Sequence, residues 1–449
     1  MVSINDYNPD KVIINQKEIS EKARVFISEL NGKVLDRDEL TRIVVLAFLS
    51  SKHMFLIGKP GVGKTFIISK LKYVLQEEKV FEHLLMSDTK KEELFGYDHL
   101  DVDGKLVHEL ERTVLDSAVV ILDEMFKAKA ELLNGLLGVF SQSRNYFLRG
   151  VGEMKLRLIS AFAMSNEFPK DEALDPFDDR LHFRYEVLRL SDDVNFKKLV
   201  TGDYDKSNDF SIQFTYDEIV SLRKEYEKVY IDENILNFFV VLKNSIITNE
   251  LNVSDRKLDD AMDIFRASAY LNGREYIDYS DMFLLMHLGW RNFTERRKLQ
   301  QLIMDTFFQK KEEIQKNLIL LKEKYQKIRS YTTSNVDPFL EDKLYFDFEE
   351  NEDILKYNKY VEFYIDVLNL LEELKKELEV ESNNYSFTVE VEEMIEQNIF
   401  VVDYKNSSFT DEYLEEYFDF NVEYTKVYNH YFSFAKDKGI YKKYRNDNE

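Results

Sequence analysis

The sequence predicts an α/β nucleotide-binding domain with a parallel sheet, followed by helical regions that end in long antiparallel helices. Three observations carry this. A short apolar run, MFLI at 54–57, meets the glycine-rich loop GKPGVGKT at 58–65, and FIISKLKYVL continues with a helical pattern. Continuous apolar runs at 118–122 (AVVIL) and 158–164 (LISAFAM) read as strands buried on both faces, as in a parallel sheet. Over 295–330 and 353–380, apolar residues recur at about 3.5 positions, which suits long helices packed side by side.

Residues 18–50 read as two helices, EISEKARVFISEL and DELTRIVVLAFLS, with Asp36 or Asp38 as N-cap of the second. The strand, loop and helix that follow form a phosphate-binding loop. Gly58, Gly61 and Gly63 free the backbone to turn its N–H groups toward an anionic phosphate, and the helix adds the positive end of its dipole. Lys64 reaches the β- and γ-phosphates and Thr65 holds Mg²⁺. The nucleotide contacts are therefore assigned to Gly58, Pro60, Gly61, Val62, Gly63, Lys64, Thr65 and Phe66.

FEHLLMS at 81–87 is a second strand, and a turn at Asp103-Gly104 precedes a short extended piece. The strand AVVIL ends in Asp123-Glu124. In an open α/β sheet the strand ends beside the phosphate loop line the ligand crevice. Asp123 is expected to bind Mg²⁺ through water and Glu124 to polarise the attacking water. An ordinary acidic turn is the competing reading, and the loop upstream weighs against it. AELLNGLLGVF at 130–140 reads as a helix, and Gly150-Val151-Gly152 suggests a β-hairpin.

The strand LISAFAM runs into Ser165-Asn166-Glu167, so Asn166 is expected beside the acidic pair, where a neutral amide can orient the lytic water. Turn hydrogen bonding is its alternative role. In DPFDDRLHFRYEV, Arg180 precedes another apolar strand. An arginine at the edge of a subunit can enter a neighbour's active site and neutralise transition-state charge. A salt bridge to Asp178 or Asp179 competes with that role, and Arg184 or Arg189 could serve instead.

At 449 residues, two or three domains are expected. The 14 glycines and 5 prolines are few for a chain with this many charged and aromatic residues, which favours helix-rich folded protein over disorder. With no cysteine, disulfides and thiol chemistry are excluded. The seven histidines show no paired spacing with carboxylates, so no metal beyond Mg²⁺ is suggested. A net charge of −23 argues against coating nucleic acid by bulk electrostatics, although a locally basic channel near Arg149, Lys155 and Arg157 stays open as a second reading. The start has no secretory pattern, and the apolar stretch 43–57 is broken by Ser50, Ser51, Lys52 and His53, so a cytoplasmic protein is expected.

The chain resembles the MoxR-family AAA+ ATPases, and within them the RavA-like branch. The resemblance is collinear over residues 18–290: GKPGVGKT, EELFG at 92–96, ILDEMFKA at 121–128, LLNGLLGVFSQ at 132–142, MSNEFP at 164–169 and DPFDDRLHFRYEV at 175–187. VSDRKLDDAMDIFRASAYLNGRE at 253–275 matches the segment whose Ser-x-Arg carries the second sensor, which points to Arg256. The resemblance implies an AAA+ P-loop domain over 1–200, a helical lid over 201–292 and a helical extension over 293–449. It also implies a homo-hexameric ring with ATP and Mg²⁺ between subunits, an H2 insert near 98–112 and a presensor hairpin near 145–158. The implied client is a von Willebrand factor A-type protein. Lys59 stands where the family usually has Pro, and the finger segment has an extra Asp-Pro before Asp178. RavA-like proteins insert a small β-rich domain in their helical leg; residues 384–449 here are acidic, aromatic and helical in pattern, so that branch's partner does not transfer.

Overall fold

The structure, a computed structural model, describes residues 14–76, 78–100, 106–141, 143–148, 152–169, 174–308, 311–336, 351–401 and 410–437. The turn residues 149–151 and 103–104 lie outside this set. The chain divides into two compact units, one comprising Met1–Met304 with Glu393–Asp403 and the other Asp305–Glu392 with Tyr404–Glu449.

The first unit opens with α1 (Gln16–Lys33) and α2 (Asp38–Leu49), and every side chain from Ile43 to Leu49 is buried. Neither Asp36 nor Asp38 caps α2. Arg37 occupies the N-cap position without a side-chain bond, and Asp36 has a left-handed backbone (φ 56°) and accepts from Ser191 N and Oγ instead. A sequence pattern identifies residues able to cap; a partner 155 positions away decided otherwise.

β1 (Met54–Ile57) leads through the loop to α3 (Lys64–Ser69), which tightens into a 3₁₀ turn at Lys70–Tyr73, shorter than the expected helix. β2 (Val80–Leu84) and α4 (Lys91–Phe95) follow, then an antiparallel pair β3 (Asp98–Leu100) and β4 (Leu106–His108). After β5 (Val119–Asp123) comes α5 (Ala130–Gly135), only half the length expected, then the hairpin β6 (Asn145–Leu148) and β7 (Gly152–Lys155). β8 (Ser160–Ser165), α6 (Asp175–Asp178) and β9 (Phe183–Glu186) complete the layer.

The five long-range strands pair in the order β2-β5-β8-β1-β9, all parallel. β1 and β8 are buried along their whole length, which is why they carry unbroken apolar sequence rather than alternation. Parallel register puts all strand ends on one edge and all strand starts on the other.

Helices α7 (Asp193–Thr201), α8 (Tyr216–Tyr226), α9 (Glu233–Thr248), α10 (Asp255–Leu271), α11 (Tyr279–Met282) and α12 (Phe293–Phe307) form the helical part of this unit. Side-chain caps set their starts: Thr215 and Glu218 form a capping box at α8, and Ser254 accepts from Lys257 N at α10.

The second unit is built from α13 (Lys311–Val336), α14 (Asn351–Gln397) and α15 (Thr410–Asp437). α13 and α14 run antiparallel, since Asn317 meets Glu381 and Lys324 meets Glu377. Leu321, Tyr325, Leu371, Leu374, Phe420 and Tyr424 share one core, so both heptad-like stripes are buried as their period requires. Tyr424 donates to Leu371 O at 2.7 Å, a packing role for a tail tyrosine. The side chains of Tyr413 and Tyr417 lie outside the described residues.

The end of α14 returns to the first unit. Asn398 is buried there and donates to Ser280 Oγ (2.9 Å) and Asp281 Oδ1 (3.1 Å), while accepting from Asn272 Nδ2 (3.0 Å). Arg42 on α2 donates to Ile399 O at 2.6 Å.

Candidate functional site

Three strand ends converge on the loop. Ile57 is in register with Ser165, and Leu122 with Ala163, so Gly58, Asp123 and Asn166 leave the same edge of the sheet. The loop fits there only with glycine at two kinds of position. A Cβ on Gly58 would lie 2.4 Å from Val187 O, and Gly61 and Gly63 have φ of 79° and 89°.

Lys64 is buried, and its ammonium donates to Gly58 O (2.6 Å), Lys59 O (3.3 Å) and Asn166 Oδ1 (2.7 Å). Burial lowers its pKa from the ordinary lysine value, and the Asp123 and Glu124 carboxylates oppose that shift. Thr65 Oγ1 donates to Asp123 Oδ2 at 2.7 Å, and Asp123 Oδ1 accepts from Glu124 N at 2.8 Å. Asn166 Nδ2 donates to Glu124 Oε1. One neutral amide thus presents oxygen to a cation and nitrogen to an anion, a pairing no carboxylate or ammonium could make at both ends. Glu124 has φ 50° and ψ 40°, a left-handed backbone costing a non-glycine residue about 1 kcal/mol or more, and strain of this kind clusters at functional sites. Lys127 Nζ lies 3.4 Å from its other oxygen. Phe66 is partly exposed at the first turn of α3, with Lys70 Nζ 4.7 Å from its ring centre.

Arg37, which sequence reasoning passed over, braces this edge. Its Nη2 donates to Val62 O (3.3 Å) within the loop and to Leu188 O (2.6 Å) beyond β9. Nothing in its local sequence signals this, because the two acceptors are far apart in the chain.

The arginines behave differently. Phe183 is in register with Met54, the first residue of β1, so Arg180 lies at the edge where the strands begin, opposite the phosphate loop. It is half-buried and donates to Pro176 O at 2.5 Å. Its neighbours are committed elsewhere. Asp178 pairs with Arg184 at 2.5 Å, and Asp179 accepts from Ser254 Oγ at 2.7 Å and from Arg256 Nη1 at 3.3 Å. Burial lowers the pKa of Arg180, with Arg256 adding to the shift and Asp179 opposing it. Arg180 and Arg256 therefore share one face, and Asp179 is the residue that brings them together. The doubled acid in DPFDDR was the one available signal for it.

Arg184 is fully buried on β9, its guanidinium 5.9 Å from the ring centre of Phe55. A side chain so enclosed is a core ion pair, which removes it as an alternative to Arg180. Arg157 donates to Glu78 and lies over the Tyr216 ring at 4.3 Å, whereas Lys155 is exposed; Arg149 lies outside the described residues.

Beneath the arginine edge is a buried polar layer. Lys52 contacts Asp260 (2.6 Å) and Asp263 (2.9 Å) on α10, and His182 Nε2 lies 3.3 Å from Asp260. His182 Nδ1 accepts from His53 N at 3.0 Å, so the ring proton sits on Nε2, facing the acid. Burial pushes the His182 pKa down to about 4. These contacts tie α10, which begins with the Ser254–Arg256 segment, to the starts of β1 and β9.

Two family models match this chain. Residues 21–223 match the family described as the MoxR domain in the MoxR-vWA-beta-propeller ternary systems, and residues 234–303 match the AAA lid domain. Two uncharacterized proteins of Methanocaldococcus jannaschii are similar. MJ0079 is 30% identical over 293 residues, covering 64% of this chain and 75% of that protein. MJ0812 is 29% identical over 274 residues, covering 60% of this chain and 72% of that protein. The crystal structure of a "putative ATPase" from Cytophaga hutchinsonii shares the fold, with a TM-score of 0.53 and 17% identity over 65% of this chain and 94% of that one. With a MoxR-domain match followed by an AAA lid match and a five-stranded parallel sheet, the chain belongs to the MoxR-type AAA+ ATPases.

Proposed function

We propose that this protein hydrolyses ATP at sites shared between neighbouring copies in a ring, and uses the cycle to remodel or activate a protein client. The observation that carries the reading is the separation of Arg180 and Arg256 from the loop of their own chain. β1 alone spans roughly 13 Å at about 3.3 Å per residue, and the arginines stand at its far end from Gly58–Thr65. In this reading a second copy presents them to the γ-phosphate, because their own loop lies at the other end of β1.

In this reading the loop N–H groups and Lys64 hold the β- and γ-phosphates, with Asn166 keeping Lys64 and Glu124 in fixed relation. Thr65 and Asp123 offer a hydroxyl and a carboxylate, the hard oxygen donors that Mg²⁺ prefers, and their 2.7 Å contact puts both on one point. The ion would supply charge neutralisation on the phosphates. Glu124 takes the proton of the attacking water, and Asn166 orients that water. Arg180 and Arg256 of the neighbour, with only Asp179 between them, bring excess positive charge to the developing negative charge.

In the same reading the ring is a homo-hexamer and the client a von Willebrand factor A-type protein. The matched family's description places its MoxR domain with vWA proteins. The RavA-like branch is supported by the helical unit after the lid, although among the described residues no strand lies beyond β9.

Mixing tests the shared site. Lys64→Ala and Arg180→Ala proteins are each expected to be inactive, and an equimolar mixture should regain turnover at seams where an intact loop meets an intact arginine. A mixture as inactive as its parts, alongside full turnover by a monomeric parent chain, would overturn the proposal.

A further inference from the structure

Helix α7 is unusual in this chain: none of its side chains is buried. Phe196, Leu199 and Val200 fall at i, i+3 and i+4, and are 55%, 44% and 71% exposed. Asp192 caps its start and left-handed Gly202 ends it, but a helix of nine residues is marginal in water on caps alone. Its apolar stripe needs a cover.

The position of α7 says which face is involved. It follows β9 on the nucleotide edge, where Arg37 joins Leu188 O to Val62 O of the phosphate loop, and Ser191 is bonded to Asp36. α7 begins five residues beyond Leu188, so it leaves the sheet on the side where the loop lies. On the proposed shared site, that side receives the arginine face of a second copy.

The arginine face has a matching surface. α9 precedes the Ser254–Arg256 segment by one short connection, and its outer side exposes Leu236, Val240, Val241 and Ile247. From Leu236 to Thr248 the only charged residue is Lys243. Copies of a chain with net charge −23 repel one another, so they can meet only where charge is absent or opposite. α9 is nearly uncharged, and the charges bordering the α7 stripe, Asp193 and Lys197, cancel.

We propose that Phe196, Leu199 and Val200 of α7 dock against the Leu236–Ile247 stripe of α9 on the next copy, forming the apolar part of a head-to-tail contact. The inference rests on the shared-site reading but is separable from it.

The test uses two double variants of the full chain, Phe196→Glu with Val200→Glu, and Val240→Lys with Val241→Lys. All four residues are exposed, so each variant should melt like the parent. Sedimentation with Mg-ATP should show each one assembling at least about tenfold more weakly than the parent. An equimolar mixture should recover assembly, because in an alternating ring the glutamates face the lysines and the remaining contacts are native. A double variant that assembles like the parent overturns the contact. So does a mixture that does not recover, or a loss of melting temperature without a change in size, which would mean that α7 is covered by its own chain. If the Lys64→Ala and Arg180→Ala mixture regains turnover while the α7 variant stays assembled, only this contact fails. If that mixture stays inactive, the shared site fails first.

Discussion

The two edges of the central sheet use charge in opposite ways. Where the strands end, Lys64, Asn166, Glu124, Asp123 and Thr65 form a closed chain of contacts within one protomer. Where they begin, Arg180 and Arg256 stand around the carboxylate of Asp179, and among the described residues Arg180 donates to the Pro176 carbonyl. The first edge is self-sufficient, and at the second Arg180 and Arg256 share the Asp179 carboxylate among the described residues. On the proposed reading, a site split in this way would be switched on by assembly, with the phosphate-holding groups on one face and Arg180 and Arg256 on the other.

The largest expected effects test the self-sufficient edge. Lys64→Ala should lower nucleotide affinity by about a hundredfold or more, measured by a fluorescent ATP analogue, because a buried cation and its three contacts vanish together. Glu124→Gln should bind ATP as the parent does and turn it over at least about a hundredfold more slowly. Normal turnover by this variant would remove Glu124 from the water-activating role and leave the edge as a binding surface only.

The next comparison sets two nearby arginines against each other. Arg180→Ala should reduce turnover by roughly a thousandfold with little change in stability. Arg184→Ala should destabilise the fold by about 3–5 kcal/mol, because it strands Asp178 inside the core. Trp290 is the only tryptophan and is buried in the first unit, so its fluorescence reports the unfolding of that unit in both variants. Equal stability losses in the two variants would mean that Arg180 too is structural, and the contrast between the edges would collapse.

The self-sufficient edge was also the legible one. Its residues sit at fixed offsets from apolar strands, so the run of sequence from Met54 to Thr65, and the residues following Leu122 and Met164, point to one cluster without tertiary knowledge. The arginine edge is assembled across the chain. Arg180 and Arg184 lie four positions apart, and only the strand register shows that one is enclosed and the other accessible. Asp179 reaches Arg256 across 77 positions, and Asn398 meets Asp281 across 117. Such contacts leave no periodic trace, because a buried polar network is specified by where helices meet and not by the pattern along any one of them. The caps show the same limit: Asp36 had the right chemistry for α2 but bonds Ser191.

The smallest effect concerns the position next to Arg256. Lys257 is buried beside Arg256, and burial pushes its pKa from 10.5 down to about 7, with Arg184 adding to the shift and Asp178 and Asp179 opposing it. In the unfolded chain the same ammonium keeps its ordinary value. Between about pH 7 and pH 10.5 the unfolded state therefore binds more protons, and stability gains up to about 1.4 kcal/mol per pH unit from this group as pH rises. Below pH 7 both states are protonated, and the cost of burying the charge is present in full. Lys257→Met keeps the length and removes the proton. It should raise the denaturation midpoint read by Trp290 at pH 7 and flatten its rise between pH 7 and 9. If variant and parent give parallel curves across that range, the ammonium is held charged by Asp178 and Asp179. The arginine edge would then have more counter-charge from its carboxylates than its exposed geometry shows.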